Sequence, residues 1–237
     1  MSTPAELVSH KGQFGGADLV QQRGTVAELA QICQTWGAAV AALHTAAVRR
    51  PSAPLAVRPW VVDPEHVTTS MRRAAGFGYA VVLKAYESSR DLRAAASEVD
   101  ARWTELHWIH GNLSASNVLV EHRPSLRVSF IDPQDAGLGD PAWDLASAVD
   151  IIAWLAPRWG VMPQPMVDYF LLGYRRAGGP GRLYPAIQAV RALATVMWVM
   201  DLPQESTGAE HVEAELAFWL DRARGYAARV GCLMAVA

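Results

Sequence analysis

Lysine is nearly missing from this chain. Lys11 and Lys84 are the only two in 237 residues, so arginine carries almost all of the positive charge. A site that needs a compact ammonium against phosphate must use one of those positions, because a guanidinium matches the charge but not the point geometry. Cysteine is as scarce. Cys33 and Cys232 lie near opposite ends without CxxC spacing, which excludes a disulfide framework and leaves two thiols suited to a reducing compartment. The N-terminus has no basic stretch leading into an apolar core, so no signal peptide is expected and a cytoplasmic location is. Apolar runs are short as well: "ALATVMWVM" (192–200) is bounded by Arg191 and Asp201 and cannot span a bilayer. A net charge of −2 provides no electrostatic footprint for nucleic acid or an anionic membrane. Repeats and low-complexity segments are missing too.

What is present is a globular composition, 51% hydrophobic and 19% charged, long enough for one domain or two small ones. Thr25 and Glu28 have capping-box spacing at the head of an apolar stripe of Val26, Leu29, Cys33, Trp36, Val40 and Leu43, which predicts a helix with one buried face. Residues 49–59 are proline-rich and read as a loop, and 64–75 as a short helix; "YAVVL" (79–83) is too short to assign, and 89–103 reads as helix. "NVLVEH" (117–122) and "LRVSFID" (126–132) read as two strands of a hairpin joined by "RPS". Beyond Pro141 the chain reads as helices over roughly 141–155, 165–177, 182–201 and 209–230, separated by Pro/Gly clusters at 157–165 and 178–181. The predicted fold class is mostly α (α+β), with one small hairpin among the helices.

The hairpin carries the chemistry. "HGNLSASN" (110–117) runs into its first strand, and "FIDPQDAGLGDPAWDLA" (130–146) leaves its second, so Asn117 and Asp132 meet at one edge. An amide oxygen and a carboxylate there suit magnesium, with nucleotide phosphates completing the shell. Singly, each residue is as readily a strand start or a turn cap. Together His110-Gly111, Asn117, Ile131-Asp132 and "GLGDPAWDLA" (137–146), with "WGAAVAALH" (36–44) upstream, resemble the aminoglycoside phosphotransferase and choline-kinase-like family over about 25–230. The resemblance implies a kinase-like C-terminal lobe. It implies that Asn117 and Asp132 bind the magnesium of ATP, that His110 braces the catalytic loop, and that Asp140 and Asp144 tie a helix start to that loop. It implies an acceptor pocket lined by the C-terminal helices, which carry Trp154, Trp159, Trp198 and Trp219; helical spacing makes core packing their default role, with Trp159 of "PRWG" (157–160) as the best exception.

Two departures qualify the resemblance. Asn112 stands where the family has the aspartate that takes the acceptor's proton, and an amide cannot act as a base near neutral pH. Asp135, at an offset where acidic residues are ordinary in the family, reads first as a turn aspartate, with substitution for the missing base as the alternative. Only 24 residues precede the first helix, too few for a β-rich N-lobe, and "KGQFGG" (11–16) lacks GxGxxG spacing. "YAVVLK" (79–84) mimics the family's lysine strand but lies after the "ALH" helix, so Lys84 is expected at the surface. The expected organisation is an N-terminal extension (1–24) followed by a kinase-like C-lobe (25–237) with the N-lobe largely absent. ATP and magnesium are expected to bind weakly or not at all to the isolated chain. Three readings follow. The first is a pseudokinase serving as scaffold or regulatory subunit, with a protein partner on the surface an N-lobe would cover. The second is half of a split phosphotransferase acting on a peptide Ser/Thr or a small-molecule hydroxyl, as family members do beside partner lyases in peptide biosynthesis. The third is an active small-molecule kinase.

Overall fold

Thr25 does begin a helix. Its hydroxyl accepts the Glu28 amide at 3.3 Å while the Glu28 carboxylate accepts the Thr25 amide at 2.7 Å, closing the capping box ahead of α1 (Val26–Thr45). The computed structural model describes residues 17–19, 22–46, 56, 58–62, 76–122, 124–200 and 209–234. The glycine stretch 11–16 with Lys11, the loop over 49–55 and the short helix read over 64–75 lie outside the described residues. Besides α1, the helices are α2 (Gly76–Ser88), α3 (Arg90–Arg102), α4 (Pro141–Leu155), α5 (Pro163–Arg176), α6 (Pro185–Met200) and α7 (Ala209–Met234). The strands are β1 (Ala17–Asp18), β2 (His107–Ile109), β3 (Val118–Glu121), β4 (Arg127–Phe130) and β5 (Gly137–Gly139).

The chain divides into two compact units. The first, residues 1–57 and 105–182, contains both sheets, α1, α4 and α5. Its hairpin pairs Val118 with Phe130 and Glu121 with Arg127, and β1 adds a third strand against β3. A second ribbon pairs β2 with β5, His107 opposite Gly139. Helices α1 and α5 approach backbone to backbone: a Cβ on Gly37 would collide with the Phe170 carbonyl, and one on Gly173 with the Gln34 carbonyl. Glycine at these two positions lets Trp36 and Phe170 pack edge-to-face at 5.1 Å, both fully buried. The buried face of α1 is Leu29, Ile32, Cys33, Trp36, Val40, Ala41 and His44. Val26, expected in that stripe, is 59% exposed within a stretch, 23–28, that is exposed throughout, and Leu43 of the same stripe is half-buried. Helix α4 opens with Asp140 accepting the Ala142 amide at 2.9 Å and Pro141 behind it, and almost all its residues are buried.

The second unit, residues 58–104 and 183–237, packs α2, α3, α6 and α7. "YAVVL" lies within α2, with Tyr79 and Val82 buried and Lys84 exposed. Gly78 sits against the Met197 backbone, Trp60 stacks on Tyr79 at 4.9 Å, and the Tyr86 hydroxyl donates to the Val61 carbonyl at 2.6 Å. Arg58 pairs with Asp100, and Arg102 lies over the Tyr184 ring. Trp219 is buried here as core, and the Trp198 side chain lies outside the described residues. Trp159, expected to serve more than packing, is buried in the first unit with 8% exposure; its Pro/Gly loop folds the ring inward. Among the described residues, no helix is long and apolar enough to cross a membrane.

Candidate functional site

All of the candidate residues lie in the first unit. The loop from β2 to β3 starts at His110 and turns at Gly111, which has φ +78°. A side chain there would be strained, and its Cβ would strike the Asp135 carbonyl, so only glycine lets the two loops touch. The loop ends in a single 3-10 turn, Ala115–Asn117, before β3. On the other strand, the Ile131 amide donates to the Asn117 carbonyl at 3.0 Å, placing Asp132 one residue beyond this pairing. Asn117 and Asp132 thus share one end of the hairpin.

Each is set up differently. The Asn117 side chain is buried, and its Nδ2 donates to the Asn112 carbonyl at 3.1 Å, which orients the amide and leaves Oδ1 as its ligand atom. Asp132 is exposed, has φ 59° and ψ 62°, and makes no capping bond with its side chain. It is the one non-glycine residue with positive φ among those described. That left-handed conformation costs a residue with a Cβ about 1–2 kcal/mol, less for aspartate than for most. Such strain concentrates where a side chain must be aimed. The residues fit a magnesium ion carried on phosphate: two hard oxygen donors at one edge, with the remaining positions left to phosphate and water. Among the described residues no cluster of three or more His, Cys, Asp or Glu forms an all-protein metal cage.

Helix α4 holds the loop. Asp144, fully buried, accepts the His110 amide at 2.7 Å on one oxygen and the Gly111 amide at 3.0 Å on the other. Trp143 Nε1 donates to the Gly111 carbonyl at 2.9 Å, and the Ser147 hydroxyl to the Leu113 carbonyl at 2.9 Å. His110 is buried; its Nε2 donates to the Ile131 carbonyl at 2.9 Å, which ties the loop to the second strand and leaves Nδ1 without a partner. Asn112 is half-buried, and its carbonyl also accepts the Ser114 amide at 2.9 Å.

Sequence reasoning missed the support behind Asp144. His44, the last residue of "WGAAVAALH", is buried with Nε2 3.2 Å from an Asp144 oxygen, and Nδ1 2.8 Å from the Tyr174 hydroxyl. A carboxylate can only accept, so Nε2 carries the proton; in the neutral ring Nδ1 then takes the hydroxyl's. The Tyr174 oxygen in turn accepts the Gly181 amide at 2.8 Å. Burial pushes the Tyr174 pKa well above the ordinary phenol range; the Gly181 bond opposes this and the Asp144 and Asp140 charges add to it. The signal in the sequence was a histidine on an otherwise apolar helix face, but nothing local names its partner.

A loop braced by a buried aspartate, leading to an asparagine and an aspartate at one hairpin edge, is what phosphoryl transfer needs to hold metal and phosphates. The sequence profile of the phosphotransferase enzyme family matches residues 14–190, three-quarters of the chain. The chain belongs to that family. A microcompartment-associated aminopropanol kinase is similar in structure, with a TM-score of 0.50 and 19% identity, over 94% of this chain and 67% of the kinase. A spectinomycin phosphotransferase, solved in complex with ADP and spectinomycin, has a TM-score of 0.49 and 13% identity, over 90% of this chain and 69% of that one. At such identities the likeness concerns the fold, which in this phosphotransferase-family chain is mostly helical and kinase-like. Comparison with curated proteins found no match. The site residues carried from the family's motif are thus all located: His110, Asn112, Asn117 and Asp132 around one loop and hairpin end, with Asp144 beneath.

Proposed function

We propose that this chain is a phosphotransferase subunit that holds magnesium and the phosphates of ATP at Asn117 and Asp132 and works with a partner protein. The observation that carries the reading is Asp132, kept in a strained left-handed conformation with its carboxylate exposed, an arrangement that a purely structural turn would relieve by using glycine. When bound, magnesium would neutralise charge on the transferring phosphoryl group. Asp144 and His110 keep the loop rigid, and Asn112 has the size and reach to hydrogen-bond an acceptor hydroxyl. It cannot remove the proton, for which the expected cost is about 10²- to 10⁴-fold in rate. Among the described residues of the first unit there is no lysine to pair with the nucleotide's phosphates. The partner's part is to complete that half of the cleft. The acceptor is a hydroxyl, either of a small amino alcohol, as the aminopropanol kinase's name suggests for a structural neighbour, or of a peptide serine or threonine.

A pseudokinase that binds a partner without transferring phosphate is the second reading, and Asn112 is the observation in its favour. Calorimetry with magnesium and ATP separates the two. Under the first reading the chain binds, weakly when alone, and Asp132→Ala abolishes the heat. Failure to bind even at millimolar nucleotide, about −4 kcal/mol, supports the pseudokinase. Incubation with aminopropanol or a seryl peptide, followed by mass spectrometry, tests which hydroxyl is taken.

A further inference from the structure

The loop that lacks its aspartate packs on the backbone of another, Asp135. Asp135 ends the 3-10 turn Pro133–Asp135 that follows Asp132, and the Ala136 amide closes this turn on the Pro133 carbonyl at 3.1 Å. A Cβ built on Gly111 would collide with the Asp135 carbonyl oxygen and come within 3.1 Å of the Asp135 Cβ. The Asp135 side chain therefore departs from a backbone packed on the residue immediately before Asn112. Asp135 is exposed, and no described residue pairs with its carboxylate. Asn112, by contrast, is held in place, its carbonyl accepting both Asn117 Nδ2 and the Ser114 amide. His110 is the nearest rival in the loop, but its Nε2 is committed to the Ile131 carbonyl, and Nδ1, the nitrogen left with the lone pair, is buried out of reach of an acceptor that arrives from solvent.

We propose that Asp135 is the proton acceptor for phosphoryl transfer in this chain, the carboxylate having moved from the catalytic loop to the turn after Asp132. The proposal rests on the phosphotransferase reading above. Asn112 orients the acceptor hydroxyl by its side-chain amide, and an Asp135 carboxylate oxygen takes the hydroxyl proton. The acceptor oxygen forms a bond to the γ-phosphorus of ATP. The bond from that phosphorus to the β,γ-bridging oxygen breaks, and ADP departs with the electron pair. Gly111 is what makes the transposition possible, since any side chain there would hold the two loops apart.

The test is ADP release from magnesium ATP by the full chain, with water as the acceptor, alongside calorimetry of magnesium–ATP binding. Asp135→Asn keeps the shape of the turn and should lower ADP release by about 10²-fold or more, with nucleotide affinity unchanged. Adding Asn112→Asp to that variant should restore the rate, because it returns a carboxylate to the same acceptor from the other loop. A merely structural Asp135 could not be rescued this way. Unchanged release in Asp135→Asn, or a loss that Asn112→Asp fails to restore, overturns the assignment of Asp135 and leaves the phosphotransferase reading standing. A wild-type chain that binds magnesium ATP yet releases no ADP overturns the assignment of Asp135 but not the reading in which a partner completes the cleft; a chain that binds no magnesium ATP overturns both.

Discussion

Replacing Asp144 by asparagine asks how much the buried carboxylate contributes to the loop. Its two oxygens face three donors: the His110 amide at 2.7 Å and His44 Nε2 at 3.2 Å on one, the Gly111 amide at 3.0 Å on the other. An amide of the same shape has one accepting oxygen. Placed toward His110 and His44, it turns its NH₂ onto the Gly111 N–H; flipped, it leaves two donors facing an NH₂. The better orientation strands the half-buried Gly111 amide, at about 1–3 kcal/mol, and weakens two further bonds that had a charged acceptor, whose worth is about 1.5–3 kcal/mol each. A net loss of about 2–4 kcal/mol follows. In urea, with a slope of about 2–3 kcal/mol per molar for a chain of this size, the midpoint should fall by about 1 M. Amide exchange at His110 and Gly111 should accelerate more than at Val149 in the middle of the same helix. Tyr174→Phe removes the hydroxyl behind His44, and the double variant should show a coupling of about 0.5 kcal/mol or more, since the two residues share that ring. An Asp144→Asn chain within about 0.5 kcal/mol of wild type, with unchanged exchange at the two amides, would refute the idea that this carboxylate organises the loop.

Other outcomes follow from single contacts. Gly37→Ala should destabilise the chain by about 1–3 kcal/mol by pushing α1 off the Phe170 carbonyl, read as a lowered thermal midpoint, whereas Gly225→Ala, where a Cβ meets nothing within 4 Å, should not. Asp132→Gly should be more stable than Asp132→Ala by about 1 kcal/mol, because glycine accepts the left-handed backbone, while both lose magnesium–ATP binding in calorimetry. Burial pushes the Cys33 thiol up to about 12 from 9.0. The folded state then holds a proton that the unfolded chain gives up, so this group's contribution is intact below pH 9 and is lost as pH rises toward 12. The wild type should lose stability faster than Cys33→Ala over that window, by up to about 1.4 kcal/mol per pH unit; parallel stability curves would contradict it.

Features that depend only on neighbours within a few positions could be read along the chain. The capping box needs only Thr25 and Glu28; the start of α4 needs only Asp140 and Pro141; the hairpin needs two short β-prone runs and a turn. These set where Asn117 and Asp132 fall, since a hairpin must return its second strand to the end where its first began. The loop's identity was legible for the same reason: His110, Gly111 and Asn117 lie within eight residues of one another. Tertiary structure alone decided the rest, because a hydrogen bond carries no sequence signature of its partner. His44 reaches Asp144 across 100 residues and Tyr174 across 130, and only the close passage of α1 over α5, allowed by Gly37 and Gly173, puts them in register. Val26 reads as core by its spacing and is exposed, since periodicity shows which face is apolar but not how far the neighbouring surface extends. "YAVVL" suits a strand as well as a helix, and packing on α6 made it helix. Asp135 reads as an ordinary turn residue until Gly111 is seen against its backbone, a contact that exists only because the two loops leave different strands and meet.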